Sequence, residues 1–111
     1  MIEQKVVNFK IRLNQATAIH YIDVWGWENA RLYSVHRDNV TWATADFDVK
    51  HSYDRSDTFA LDTAQTLGPG PDTTATIPVI TIRYLALVHK TPEGSGDDEG
   101  EIYCILEREV R

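Results

Sequence analysis

Three tryptophans, Trp25, Trp27 and Trp42, are the side chains of this sequence best equipped to recognise another molecule. An indole presents a flat apolar face on which a sugar ring stacks, together with one N–H donor. Trp25 and Trp27 flank Gly26, and Asp23, Glu28 and Asn29 lie within three positions of that glycine. A backbone extended through Gly26 puts both indoles on one side, because extended chain alternates its side chains. The carboxylates and the carboxamide are then placed to bind sugar hydroxyls. Trp42 stands in a segment, Val40 to Val49, whose alternation turns Ala43, Ala45, Phe47 and Val49 inward and Trp42, Thr44, Asp46 and Asp48 outward. That pattern exposes Trp42, whereas Trp25 and Trp27 divide between a surface role and the plugging of a sandwich core. Glycan binding through Trp25, Trp27 and Trp42, with Asp23, Glu28 and Asn29 as hydroxyl partners, is the expected function. The alternative is a protein-interaction or self-assembly module using the same aromatics, since Trp and Tyr are favoured at interfaces.

Catalytic and metal chemistry find less support. The four histidines, His20, His36, His51 and His89, occupy four different segments with no short ligand spacing between them. Asp97, Asp98, Glu99 and Glu101 offer oxygens, but not at the spacing of a calcium loop, and read as a solvated acidic tip. No Gly-x-Ser-x-Gly elbow is present, and Cys104 alternates with inward-facing Ile102 and Leu106 as an inert core thiol. A glycosidase needs only two placed carboxylates, yet a chain this short has little room for a deep cleft. No glycine pattern links a strand to a helix, so no nucleotide cofactor is implied. Asn39-Val40-Thr41 matches the glycosylation sequon and is read as a turn. A non-enzymatic protein without metal or cofactor is expected.

Charge narrows the partners. Seventeen acidic and eleven basic side chains give a formal charge of −6, which repels phosphate backbones and anionic lipid headgroups. Nucleic acid and membrane insertion are therefore not expected, and no apolar run reaches the roughly 18 to 20 residues of a bilayer span. The N-terminus lacks the apolar core of a signal peptide, so the expected location is the cytoplasm, or outside the cell by a route without a classical signal. A single cysteine excludes an internal disulfide, leaving burial of the 42% hydrophobic residues to hold the fold.

The elements that must position these residues read as strands. Val7, Phe9, Ile11 and Leu13 alternate with Asn8, Lys10 and Arg12. Ala18 to Val24 is rich in β-branched and aromatic residues and leads into a turn at Gly26. Arg31 to Arg37 and Val40 to Val49 flank Asp38-Asn39 and resemble a hairpin. Leu67-Gly-Pro-Gly-Pro-Asp72 prohibits ladder bonding and is a loop. Ile77 to Val88, apolar on both faces, marks a central strand, with Pro78 arguing against pairing before Val79. Ile102, Cys104 and Leu106 alternate with polar residues after a glycine-rich loop, closing the chain in a second, long-looped hairpin. One all-β domain over residues 1–111 is expected, an antiparallel sandwich of immunoglobulin or fibronectin-III type with about seven strands, a small closed barrel being the structural alternative.

Phe9-Lys-Ile11, Ile19-His-Tyr21, Trp25-Gly26, Tyr33-Ser-Val35, Phe47-Asp-Val49, Ile80-Thr-Ile82, Thr91-Pro92 and Glu101-Ile-Tyr103 follow in the order of a known family. With gaps, and over about half the chain, the sequence resembles the fungal immunomodulatory proteins, small chains with a fibronectin-type sandwich. The resemblance implies a noncovalent homodimer that binds cell-surface glycans or glycoproteins, agglutinates red cells and stimulates immune cells. The family dimerises through an N-terminal helix, where this chain carries the strand pattern of Val7 to Leu13.

Overall fold

Alternation of apolar and polar residues dominates the sequence, and the chain folds accordingly. The computed structural model describes residues 1–14, 19–94 and 98–110. Ala18 of the expected second strand and Asp97 of the acidic run lie outside the described residues. The described residues form eight strands: β1 Ile2–Arg12, β2 Ile19–Asp23, β3 Asn29–Val35, β4 Asp46–Ser52, β5 Phe59–Leu67, β6 Thr74–Ile77, β7 Tyr84–Thr91 and β8 Glu99–Glu109. They make two four-stranded sheets, β1-β8-β3-β6 and β2-β7-β4-β5, paired antiparallel throughout.

The inner faces follow the period-2 rule. Ile11 and Leu13, Ala30 and Leu32, Phe47 and Val49, and Ile102, Cys104 and Leu106 join one buried cluster between the sheets. Phe9 from one sheet stacks on His20 from the other, with centroids 3.9 Å apart. Burial pushes the Cys104 thiol up to about 12, so the thiolate nucleophile is suppressed and the residue acts as a small apolar filler.

The antiparallel sandwich agrees with the sequence; the connectivity differs from the immunoglobulin and fibronectin-III pattern. Those folds keep several consecutive strands as hairpins within one sheet. Among the described strands only β4 and β5 are consecutive neighbours and the others alternate between sheets, which is the strand order of a jelly roll. The Asp38-Asn39 turn forms, with Val40 N–H donating to the Arg37 carbonyl and Asn39 at φ 67°, but it belongs to a crossover, because β3 and β4 lie in opposite sheets. The closing pair β7 and β8 is separated in the same way. Alternation tells a strand which side to bury and says nothing about its neighbour.

Ile77 to Val88 divides into two elements. Thr74–Ile77 pairs with β3 up to Ala30↔Ile77, so pairing precedes Pro78, whose missing N–H ends the strand. β7 is central as expected, between β2 and β4, with Leu85 and Leu87 in the core cluster.

Candidate functional site

The register of the second sheet gathers the polar and aromatic residues of one end. Asp23 at the end of β2 is paired with Tyr84 at the start of β7, and Tyr84 with Ser52 at the end of β4. Opposed residues in an antiparallel ladder point to the same face, so this row sets the side chains beyond it side by side. The loop after β4 is pinned where the Arg55 N–H donates to Ser52 Oγ at 3.0 Å, and the loop before β7 supplies Arg83.

Asp23 organises the centre of the site. One carboxylate oxygen accepts the Trp25 backbone N–H at 3.0 Å, and the other accepts Arg83 Nη2 at 3.1 Å. The Trp25 N–H first, then the Arg83 guanidinium, hold the Asp23 carboxyl below the usual carboxylate range. Arg83 lies 6.0 Å from the Trp25 ring centroid and 5.1 Å from that of Tyr84, while Arg55 lies 5.7 Å from Tyr84 on its own account. The sequence Trp25, Arg83, Tyr84, Arg55 is thus a strip of alternating rings and guanidinium groups. Tyr53 and Phe59, both exposed and in edge contact at 5.6 Å, lie on the same loop and the strand that follows it.

The two flanking indoles do not share one exposed side. Gly26 is at φ 86° and the Trp27 N–H donates to the Val24 carbonyl at 3.1 Å, so the expected turn forms and the extended backbone that would set both indoles on one side does not. Trp25 projects, 72% exposed. Trp27 is half-buried against the core and is covered by Arg108, 4.4 Å from its ring centroid and itself ion-paired to Glu3 at 2.7 Å. Between them lies a shallow recess of about 130 Å³ that includes Ile80, Thr81 and Ile82 in its lining.

Trp42 corrects the expectation most sharply. It is 6% exposed, donates its indole N–H to the Ala45 carbonyl at 2.9 Å, and meets Phe47 edge-on. The physical reason is Glu93, whose Oε1 accepts the successive N–H groups of Ala43, Thr44 and Ala45. Three consecutive donors converge on one oxygen only when the backbone curls, so period 2 does not apply at Trp42. Gly100 leaves the space the indole occupies: a Cβ there would stand 2.7 Å from Trp42 Cζ3.

Glu28 and Asn29 serve the frame. Glu28 Oε1 accepts the Glu109 N–H at 2.6 Å, and Asn29 opens β3 opposite Glu107. Two of the candidate calcium oxygens are likewise engaged within the chain: Asp98 accepts the Thr41 N–H at 2.6 Å, and Glu101 is paired with Arg37. Among the described residues no three His, Cys, Asp or Glu side chains converge on a metal-binding point. Of the expected set, Asp23 and Trp25 come together with Trp27 behind them. Arg83, Tyr84, Arg55 and Phe59 stand outside the expected set and Tyr53 only among its neighbouring aromatics, although the interleaving of Arg with aromatics at Tyr53-Asp-Arg55 and Arg83-Tyr84 is a signal the sequence carries. Comparison with family models, with curated proteins and with solved structures finds no match to this chain.

Proposed function

We propose that this chain is a glycan-binding, lectin-like β-sandwich that acts without catalysis. The observation that carries the reading is the projecting Trp25 held beside Arg83 and Tyr84 by the Asp23 carboxylate. An indole and a phenol ring supply apolar faces for the C–H side of a sugar, and the guanidinium groups donate to its hydroxyls. Asp23 holds the Trp25 backbone and the Arg83 guanidinium in advance, so less side-chain freedom is lost at Arg83 on binding. Lectin domains are among the functions hosted by jelly rolls, which supports the reading by analogy alone. The cell-surface activities implied by the family resemblance would rest on this same glycan recognition, and the implied homodimer on a contact between copies of the chain.

A glycan array followed by tryptophan fluorescence titration tests the proposal. Wild type is expected to give a saturable response to at least one glycan, and Trp25→Ala to weaken it about 10- to 100-fold, the worth of one buried aromatic face. No saturable response from any glycan class would sink the proposal.

A second reading, self-assembly, is favoured by β1, an edge strand with Ile2 and Val6 each 57% exposed. Light scattering on wild type and Val6→Lys separates the two, since assembly that is lost in the variant and indifferent to sugar supports the interface.

A further inference from the structure

The edges of the two sheets meet at β5 and β6, and a recess of about 250 Å³ opens between them and the loop that follows β6. Leu61, Ile77, Pro78 and Val79 give it a largely apolar lining. His51 from β4 lines it too; the residue is 8% exposed, and its Nε2 is buried with no hydrogen-bond partner. Protein interiors rarely leave such a nitrogen unpaired, because an unsatisfied buried polar atom is costly. Nε2 is closed to a water-sized group as the ring stands, so a partner in the recess gains a hydrogen bond not available within the described residues only as the imidazole turns toward it.

We propose that this recess binds a small, neutral, mostly apolar alcohol whose hydroxyl bonds His51 Nε2. Size sets the body of the ligand: an apolar cavity of about 150 Å³ takes one benzene ring, so the larger recess suits two fused rings. The Asp62 carboxylate in the lining disfavours anions. Burial lowers the His51 pKa against the opposing pull of Asp62, which leaves the imidazole neutral at neutral pH. A neutral ring carries one donor and one acceptor nitrogen, and a hydroxyl, which both donates and accepts, suits Nε2 in either tautomer. Thr81 lines both this recess and the shallow one beside Trp25, but none of Trp25, Arg83, Tyr84 and Arg55 lines this one, so the site does not depend on glycan binding.

The test titrates wild type with 2-naphthol and with naphthalene, following the His51 ring and Ile77 methyl resonances. Saturable shifts at both residues are expected, with 2-naphthol about tenfold tighter, the factor one added hydrogen bond supplies. His51→Phe should bind the two probes equally. Val79, 65% exposed in the lining, offers an independent check that leaves the core alone: Val79→Trp should close the recess and weaken both probes at least tenfold. Trp25→Ala should bind 2-naphthol as wild type does. Unmoved His51 and Ile77 resonances at the solubility limit of 2-naphthol, or equal affinities of wild type for the two probes, would overturn the proposal.

Discussion

At the scale of single residues, Glu93 does more than its position in a polar loop suggests. Its side chain is buried, and its Oε1 accepts the N–H groups of Ala43, Thr44 and Ala45 at 2.5, 2.6 and 3.0 Å. Burial raises the carboxyl pKa, but the three backbone donors outweigh it and hold the group below the usual carboxylate range. Hydrogen bonds to a charged group contribute more than neutral ones, and removing the acceptor strands three donors. Glu93→Ala is expected to cost about 3 kcal/mol in urea denaturation, with Glu93→Gln closer to wild type because its amide oxygen still accepts. A loss below about 0.5 kcal/mol in the alanine variant, the usual range for a surface change, would show that the curl holds itself. None of this was legible in the sequence, since Glu93 and Ala43 stand 50 positions apart. The same contact explains why Trp42 misled: local alternation has no access to a carboxylate arriving from a distant loop.

The elements themselves were more legible than their arrangement. The inward sets Val7 to Leu13 and Ile102 to Leu106 were readable because each has one polar and one apolar face, which leaves a single choice of side. β7 carries apolar residues on both faces, so its central place was readable and its core-facing side was not. Neighbour identity was beyond reach wherever a crossover imitated a hairpin, as at Asp38-Asn39. The Trp-Gly-Trp turn lies between these cases, with the turn expected and its effect on the indoles reversed. Gly26 at φ 86° has, among the described residues, only Arg108 Nη1 within reach of an added Cβ, at 3.6 Å, so the penalty for a side chain there is conformational rather than steric. Gly26→Ala should destabilise by about 1 kcal/mol and, by shifting the Trp25 backbone N–H away from Asp23, weaken glycan binding beyond its effect on stability. Thermal melts alongside fluorescence titration measure both, and unchanged sugar affinity in a folded variant would separate the turn from the site.

Across the whole molecule, three of the four histidines are linked to folding through burial. Desolvation is the largest cause at each of His20, His51 and His89 and lowers each pKa from 6.5, with Asp62 opposing it at His51, and the Arg12 backbone and Asp46 opposing it at His89. In the unfolded chain these rings return to the ordinary value and take up protons first. As pH falls below 6.5 the unfolded state therefore binds more protons than the folded one, and stability declines until the lowered folded values are passed. Above 6.5 both states are neutral at these sites and the contribution is flat. Glu93 adds a second step of the same sign, full above its ordinary 4.5 and lost as pH falls through its lowered folded value. Urea midpoints should consequently hold level from about pH 8 to 7, fall as the pH drops below about 6.5, and fall more steeply once it drops below about 4.5. His51→Phe, in which that ring no longer titrates, should flatten part of the first decline while leaving the second intact. A midpoint that stays constant from about pH 7 to 5 in wild type would mean that the three rings are solvated or paired in solution, contrary to the packing that puts Phe9 on His20 and Phe47 against His89.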